Sequence, residues 1–145
     1  MLKHLLVGAA LLALAGCEGS ATVNNPVPQD DSAHLAAMAA HIPYPSNIQA
    51  SNDMPIGAQV LPNRQEIQLI NYSNQPIPQS YVWVNGTFVQ QVEQIPAMGV
   101  MTLREDKFYS SSGDRLDKQN VHMNQIQIEQ GNRLFNVWGP VTQNL

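Results

Sequence analysis

From Arg64 to the C-terminus, short apolar runs alternate with turn signals at intervals of about eight to twelve residues. That rhythm predicts an all-β sandwich or barrel. Candidate strands are Glu66–Asn71, Ser80–Asn85, Thr87–Val92, Val100–Arg104, Lys107–Ser110, His122–Glu129 and Arg133–Trp138. Two of the turns can be tested by register. Asn85-Gly86 is a strong hairpin signal, because both central residues of a type I′ turn need positive φ. A two-residue loop there pairs Val84 with Thr87, Trp83 with Phe88 and Val82 with Val89. Tyr81, Trp83 and Phe88 then share one face, and Val82, Val84 and Val89 the other. This hairpin is either buried on both faces or carries an exposed aromatic patch.

Gly131-Asn132 supplies the second loop. It pairs Gln130 with Arg133, Ile128 with Phe135 and Ile126 with Val137. The four apolar residues fall on one face. Gln125, Gln127, Glu129 and Asn136 fall on the other, which reads as wet, with Trp138 on that polar side. A slip of one residue would destroy the separation.

The residues before Arg64 have a different texture. Residues 32–42 (SAHLAAMAAHI) hold five alanines and no Gly or Pro, so they predict a short helix with Ser32 or Asp31 as N-cap and Pro43 as terminator. Leu35, Met38 and Ile42 form a stripe on it. Four prolines between residues 43 and 63 favour an extended segment, with an edge strand near Ile56–Leu61. Residues 18–31 (EGSATVNNPVPQDD) have no sustained apolar pattern and read as a tether.

The N-terminus is an address. Lys3 and His4 precede an apolar run from Leu5 to Leu14, and Ala15-Gly16-Cys17 follows. The run is too short for a permanent membrane span, which needs about 20 residues, and it fits a secretory signal. Leu14-Ala15-Gly16-Cys17 resembles the lipobox of bacterial lipoproteins. The resemblance implies cleavage after residue 16, diacylation of the Cys17 thiol and attachment to a lipid membrane. Glu18 is not the Asp that marks inner-membrane retention in such lipoproteins, so the resemblance points to the outer membrane, on its periplasmic or surface face. The expected organisation is a signal peptide at 1–16, a lipidated tether at 17–31, a helix and Pro-rich segment at 32–63 and a β-sandwich at 64–145.

Composition narrows the function. The chain has a single cysteine, which leaves no intrachain disulfide and no multi-thiolate metal site. Its 7 Lys+Arg against 11 Asp+Glu argue against a basic nucleic-acid face. Asn and Gln make up 28 of the residues from 17 onward, spread through the candidate strands as uncharged solvent-face residues.

The stretch from Ile67 to Val141 (IQLINYSNQPI, YVWVNGTFVQQV, IPAMGVMTLREDKFYSSSGDRL and the last hairpin) resembles small immunoglobulin-like β-sandwich domains at the C-termini of uncharacterised bacterial envelope lipoproteins. Met98 makes the turn at Pro96–Gly99 one residue longer than the shortest version of that pattern. The resemblance implies an immunoglobulin-like antiparallel β-sandwich in the cell envelope and brings no activity with it.

Catalytic chemistry finds little support. Ser110-Ser111-Ser112-Gly113 is a polar turn without a histidine context. Glu105-Asp106, and Asp114 and Asp117 beside Arg115 and Lys118, read as a solvated, charge-balanced loop, and they lack the spacing of a calcium site. A small hydrolase would need a pocket joining His122 to acidic residues. His34, Met38 and His41 fall at i, i+4 and i+7 of the expected helix, a donor set that suits copper, with His122-Met123 as possible additions from the sheet. The plainer account has Met38 packing and both histidines part-exposed. Tyr81, Trp83, Phe88 and Trp138 are the candidate binding aromatics. The chain therefore reads as a non-enzymatic envelope lipoprotein, with no cofactor, whose sandwich binds another envelope protein. The alternative is a carbohydrate- or peptidoglycan-binding module built on Tyr81 and Trp83.

Overall fold

A computed structural model describes residues 31–142. The expected signal peptide, Cys17 and all but the last residue of the expected tether lie outside that range. The described chain is an all-β sandwich of two antiparallel-rich sheets with one short α-helix. The helix α1, Ser32–His41, precedes nine strands: β1 (Ile56–Leu61), β2 (Glu66–Asn71), β3 (Ser80–Val84), β4 (Phe88–Val92), β5 (Val100–Arg104), β6 (Tyr109–Ser110), β7 (Ile126–Gln130), β8 (Arg133–Asn136) and β9 (Trp138–Thr142).

One sheet has the order β5-β2-β1-β9, the other β6-β4-β3-β7-β8. All pairings between named strands are antiparallel except β1 with β9. Alternation decides which residues meet between the sheets. Ile56, Ala58, Val60, Ile67, Leu69 and Leu103 from one sheet pack on Val82, Val84, Phe88, Val92, Ile126, Ile128 and Phe135 from the other. The strand Ile56–Leu61, expected at an edge, lies inside its sheet between β2 and β9. The sandwich therefore draws on residues before Arg64.

The first hairpin departs from the expected register. Asn85 and Gly86 both have positive φ, at 51° and 64°, and the Thr87 N–H donates to the Val84 carbonyl as the turn demands. The ladder, however, resumes at Val84 with Phe88 and Trp83 with Val89. Thr87 is an extra residue on one side. This offset turns Phe88 inward beside Val82 and Val84, and it turns Val89 outward beside Trp83. Both apolar sets are thereby buried, which the two-residue register would not achieve.

The second hairpin keeps its expected pairs, Gln130 with Arg133 and Ile128 with Phe135. The Val137 N–H donates to the Ile126 carbonyl. Its other face is not wet. Gln127 and Leu134 are buried, because the segment from α1 to Asn52 covers the outer face of this five-stranded sheet. Leu35, Ala36, Ala39, Ile42, Tyr44 and Ile48 pack there on Trp83, Val89, Tyr109 and Leu134. Several polar groups under this arm find partners. The Tyr44 hydroxyl donates to Gln127 Oε1 at 2.7 Å, Gln127 Nε2 donates to Asn136 Oδ1 at 2.9 Å, and the Trp83 indole donates to Glu129 Oε2 at 2.8 Å. Asn136 Nδ2 in turn donates to Asn52 Oδ1 at 3.0 Å. Amides that resemble solvent residues in the sequence are thus the polar seam that seats the arm.

The last expected strand is two strands. The chain leaves the five-stranded sheet at Val137, and Trp138 opens β9 at the edge of the other sheet. Trp138 is therefore not on the polar face of the last hairpin.

Candidate interaction surface

Among the described residues, no arm crosses the outer face of the four-stranded sheet. Register places Trp138 opposite Gly57, Gly57 opposite Ile70, and Ile70 opposite Val100. These four positions form one apolar row across the whole sheet, on the side away from the core. On β1, β2 and β5 the next outward row, Gln59, Gln68 and Thr102, is polar and uncharged, and charge returns at Glu66 and Arg104.

Tyr72 extends this row. Its backbone N–H donates to the Pro55 carbonyl at 2.9 Å. Its ring stacks on Trp138, with centroids 6.1 Å apart and planes 19° apart. Gly57 makes room for it, since a Cβ there would stand 3.1 Å from the Tyr72 ring. A groove of about 450 Å³ lies beside the two rings, lined also by Gly57, Gln59, Ile70 and Gly139 and by no charged side chain. Tyr72 and Trp138 remain half exposed, at 52 % and 50 %, and Met98 and Val100 are exposed at the same end of the sheet.

Buried Asn71 fixes that end. Its Nδ2 donates to the carbonyls of Gln75 and Pro96, and its Oδ1 accepts from the N–H and hydroxyl of Ser73. The loops carrying Tyr72 and Met98 are therefore tied together beneath the rings. Met98 itself adopts positive φ, at 49°, which suits its turn between Ile95 and Val100.

The expected aromatic platform is mostly core. Trp83 is buried against Tyr44, edge to face at 5.3 Å. Phe88 is buried between the sheets, and Tyr81 is half-buried beside α1. Of the four candidate aromatics only Trp138 is exposed. Sequence reasoning missed Tyr72, whose partner Gly57 becomes visible only through the β1–β2 register.

His122 and Glu105 do share a pocket of about 250 Å³, with Gln65, Gln119 and Met123. Burial, and then the nearby Asp117 carboxylate, push the Glu105 carboxyl above its usual range. No Ser, Thr or Cys lines this pocket. Asp117 is not the solvated residue expected. It is buried in an ion pair with Arg115 at 2.6 Å, with Lys118 at 3.6 Å. The Ser110 hydroxyl accepts the N–H groups of Ser112 and Asp114, so its observed part is to close a turn. His34, Met38 and His41 line one groove on α1 with Tyr81. Among the described residues, no group of three or more His, Cys, Asp or Glu is placed to hold a metal, and no helix is long and apolar enough to cross a membrane.

No known family's model matches the chain, and neither a curated protein nor a solved structure matches it.

Proposed function

We propose that the chain is a lipid-anchored envelope lipoprotein whose immunoglobulin-like sandwich binds another envelope protein, without catalysis. The observation that carries the binding reading is the half-exposed Tyr72–Trp138 stack at the uncharged end of the sheet face opposite the arm. Contiguous exposed apolar surface on a folded domain marks a contact site, and aromatic residues are enriched at such contacts. Among the described residues β5 ends its sheet, and its outer edge next to Val100 is a means of joining a partner's strand. At the opposite edge, Pro140 removes a backbone donor from β9. Nine strands in two sheets support the immunoglobulin-like assignment. Support for the anchor is the lipobox-like Leu14-Ala15-Gly16-Cys17 behind its apolar run.

Two measurements test this reading. Palmitate labelling of cells should tag the wild-type chain and not Cys17→Ser. A photo-crosslinking residue at position 138 should trap a protein neighbour in intact cells, and the same residue at exposed Asn132 should not. Absence of an adduct at position 138 would refute the contact face. Glycan binding uses the same ring pair, but Gln59 is the only amide side chain lining the groove. Retention on insoluble peptidoglycan, lost in Trp138→Ala, would replace the protein partner by a glycan.

A further inference from the structure

We infer that His34, Met38 and His41 form a surface site for one soft metal ion, Cu(I), on the docked helix α1. The three side chains line a single groove of about 360 Å³ with Ala37, Ile42 and Tyr81. Met38 is the fourth residue after His34 and the third before His41, so on the helix it neighbours both, at about 5–6 Å between Cβ atoms. Met38 thus lies between the two histidines along this stripe of the helix. Both histidines are exposed and Met38 is half-buried. Among the described residues neither imidazole takes part in a hydrogen bond or an ion pair.

Donor chemistry selects the ion. Two imidazole nitrogens and a thioether sulfur form a soft set, and no carboxylate lines the groove. Thioether ligands favour Cu(I), whereas Ca²⁺ and Mg²⁺ require oxygen. The packing of the helix supplies preorganisation. A free helix of ten residues is marginal in water. Here Leu35, Ala36, Ala39 and Ile42 pack on the five-stranded sheet, which holds the adjoining His-Met-His stripe in helical register before any ion arrives. The site uses the arm and is independent of the Tyr72–Trp138 face.

The test uses the full chain in detergent with Cys17→Ser, which removes a competing thiol. Cu(I) is offered from a chromophoric chelator, and helicity is followed by circular dichroism. One equivalent should transfer. Met38→Leu keeps the helix and the packing, and it should weaken Cu(I) binding by at least about tenfold while leaving any Zn²⁺ binding unchanged. The double substitution His34→Ala with His41→Ala should abolish transfer, and His122→Ala should not alter it. Failure of Cu(I) to transfer, or transfer that survives the double substitution with the helix intact, overturns the site.

Discussion

The two tryptophans of this chain should respond to the same substitution in opposite ways. Trp83 is 2 % exposed, its indole N–H donates to Glu129 at 2.8 Å, and Tyr44 meets its ring edge to face. Replacing a buried Trp by Ala costs about 3–5 kcal/mol, which includes the cavity left behind. The hydrogen bond to a carboxylate contributes about 1.5–3 kcal/mol of its own, not fully additive with that loss. A domain of this kind has about 5–15 kcal/mol in total, so Trp83→Ala removes about a fifth of its stability or more. Trp138 is half exposed and stacks on an equally exposed Tyr72. Its truncation leaves no closed cavity, and the expected cost is within about 1 kcal/mol. Urea unfolding followed by far-ultraviolet circular dichroism compares the two without relying on either fluorophore. Equal losses for the two variants, or a loss below about 1 kcal/mol for Trp83→Ala, would falsify the account of the arm as a packed layer.

Three further outcomes follow from particular contacts. Gly86→Ala puts a side chain at φ +64° with its Cβ 3.3 Å from the Tyr44 ring, and it should cost about 1–2 kcal/mol in the same unfolding assay. Asn71→Ala leaves the Pro96 carbonyl without its donor and the Gln75 carbonyl with the Ser73 hydroxyl alone. It should cost about 1–3 kcal/mol and raise amide exchange in residues 72–76 and 96–99, whereas unchanged exchange there would contradict its role as the tie between those loops. The Glu105 carboxyl is held above its usual range by burial, so the folded chain binds that proton more tightly than the unfolded one. Its favourable contribution is complete below the ordinary glutamate pKa of about 4.3 and is lost as pH rises through the higher folded value. Glu105→Gln should therefore gain on wild type as pH rises above about 4, seen as a rising difference in urea midpoint.

Much of the sandwich is legible because local signals agree with it. β2 and β5 fall on their expected residues, and α1 ends before Pro43 as its composition demands. Gly131-Asn132 sets a register that Ile128 and Phe135 require. What is not legible is set by distant partners. Nothing near Gln127 announces that Tyr44, 83 residues earlier, will donate to it. The offset at Thr87 is equally silent, because its benefit is the burial of Val89 and Trp83 under an arm that the strand pattern does not contain. Asn85 illustrates the same point. It reads as a turn residue, yet its side chain also donates to the His122 carbonyl and accepts from the N–H groups of Asn124 and Gln125, pinning a loop 37 to 40 residues away. The Tyr72–Trp138 pair escaped notice for a related reason: it joins the end of β2 to the start of β9 across Gly57.

The size of the exposed face bears on the proposed lipid anchor. Four strands spaced at about 4.8 Å, each of five or six residues at about 3.3 Å, present a face of roughly 350 Å² in projection. Only the Trp138–Gly57–Ile70–Val100 end of it is apolar, together with Tyr72 and Met98. A stable protein complex covers about 800 Å² on each partner. The apolar end alone therefore supports a weak, quickly exchanging contact, and a durable one must recruit the β5 edge or the Tyr72 and Met98 loops. Confinement changes that requirement. If Cys17 is acylated, a partner held in the same membrane meets this face at a raised effective concentration, bounded by the about 45–50 Å that fourteen residues can span at most. Under the proposed anchor, a small uncharged face is sufficient for specific pairing at the membrane. The same domain released as a soluble fragment should then bind that partner far more weakly, although not one contact in the interface has changed.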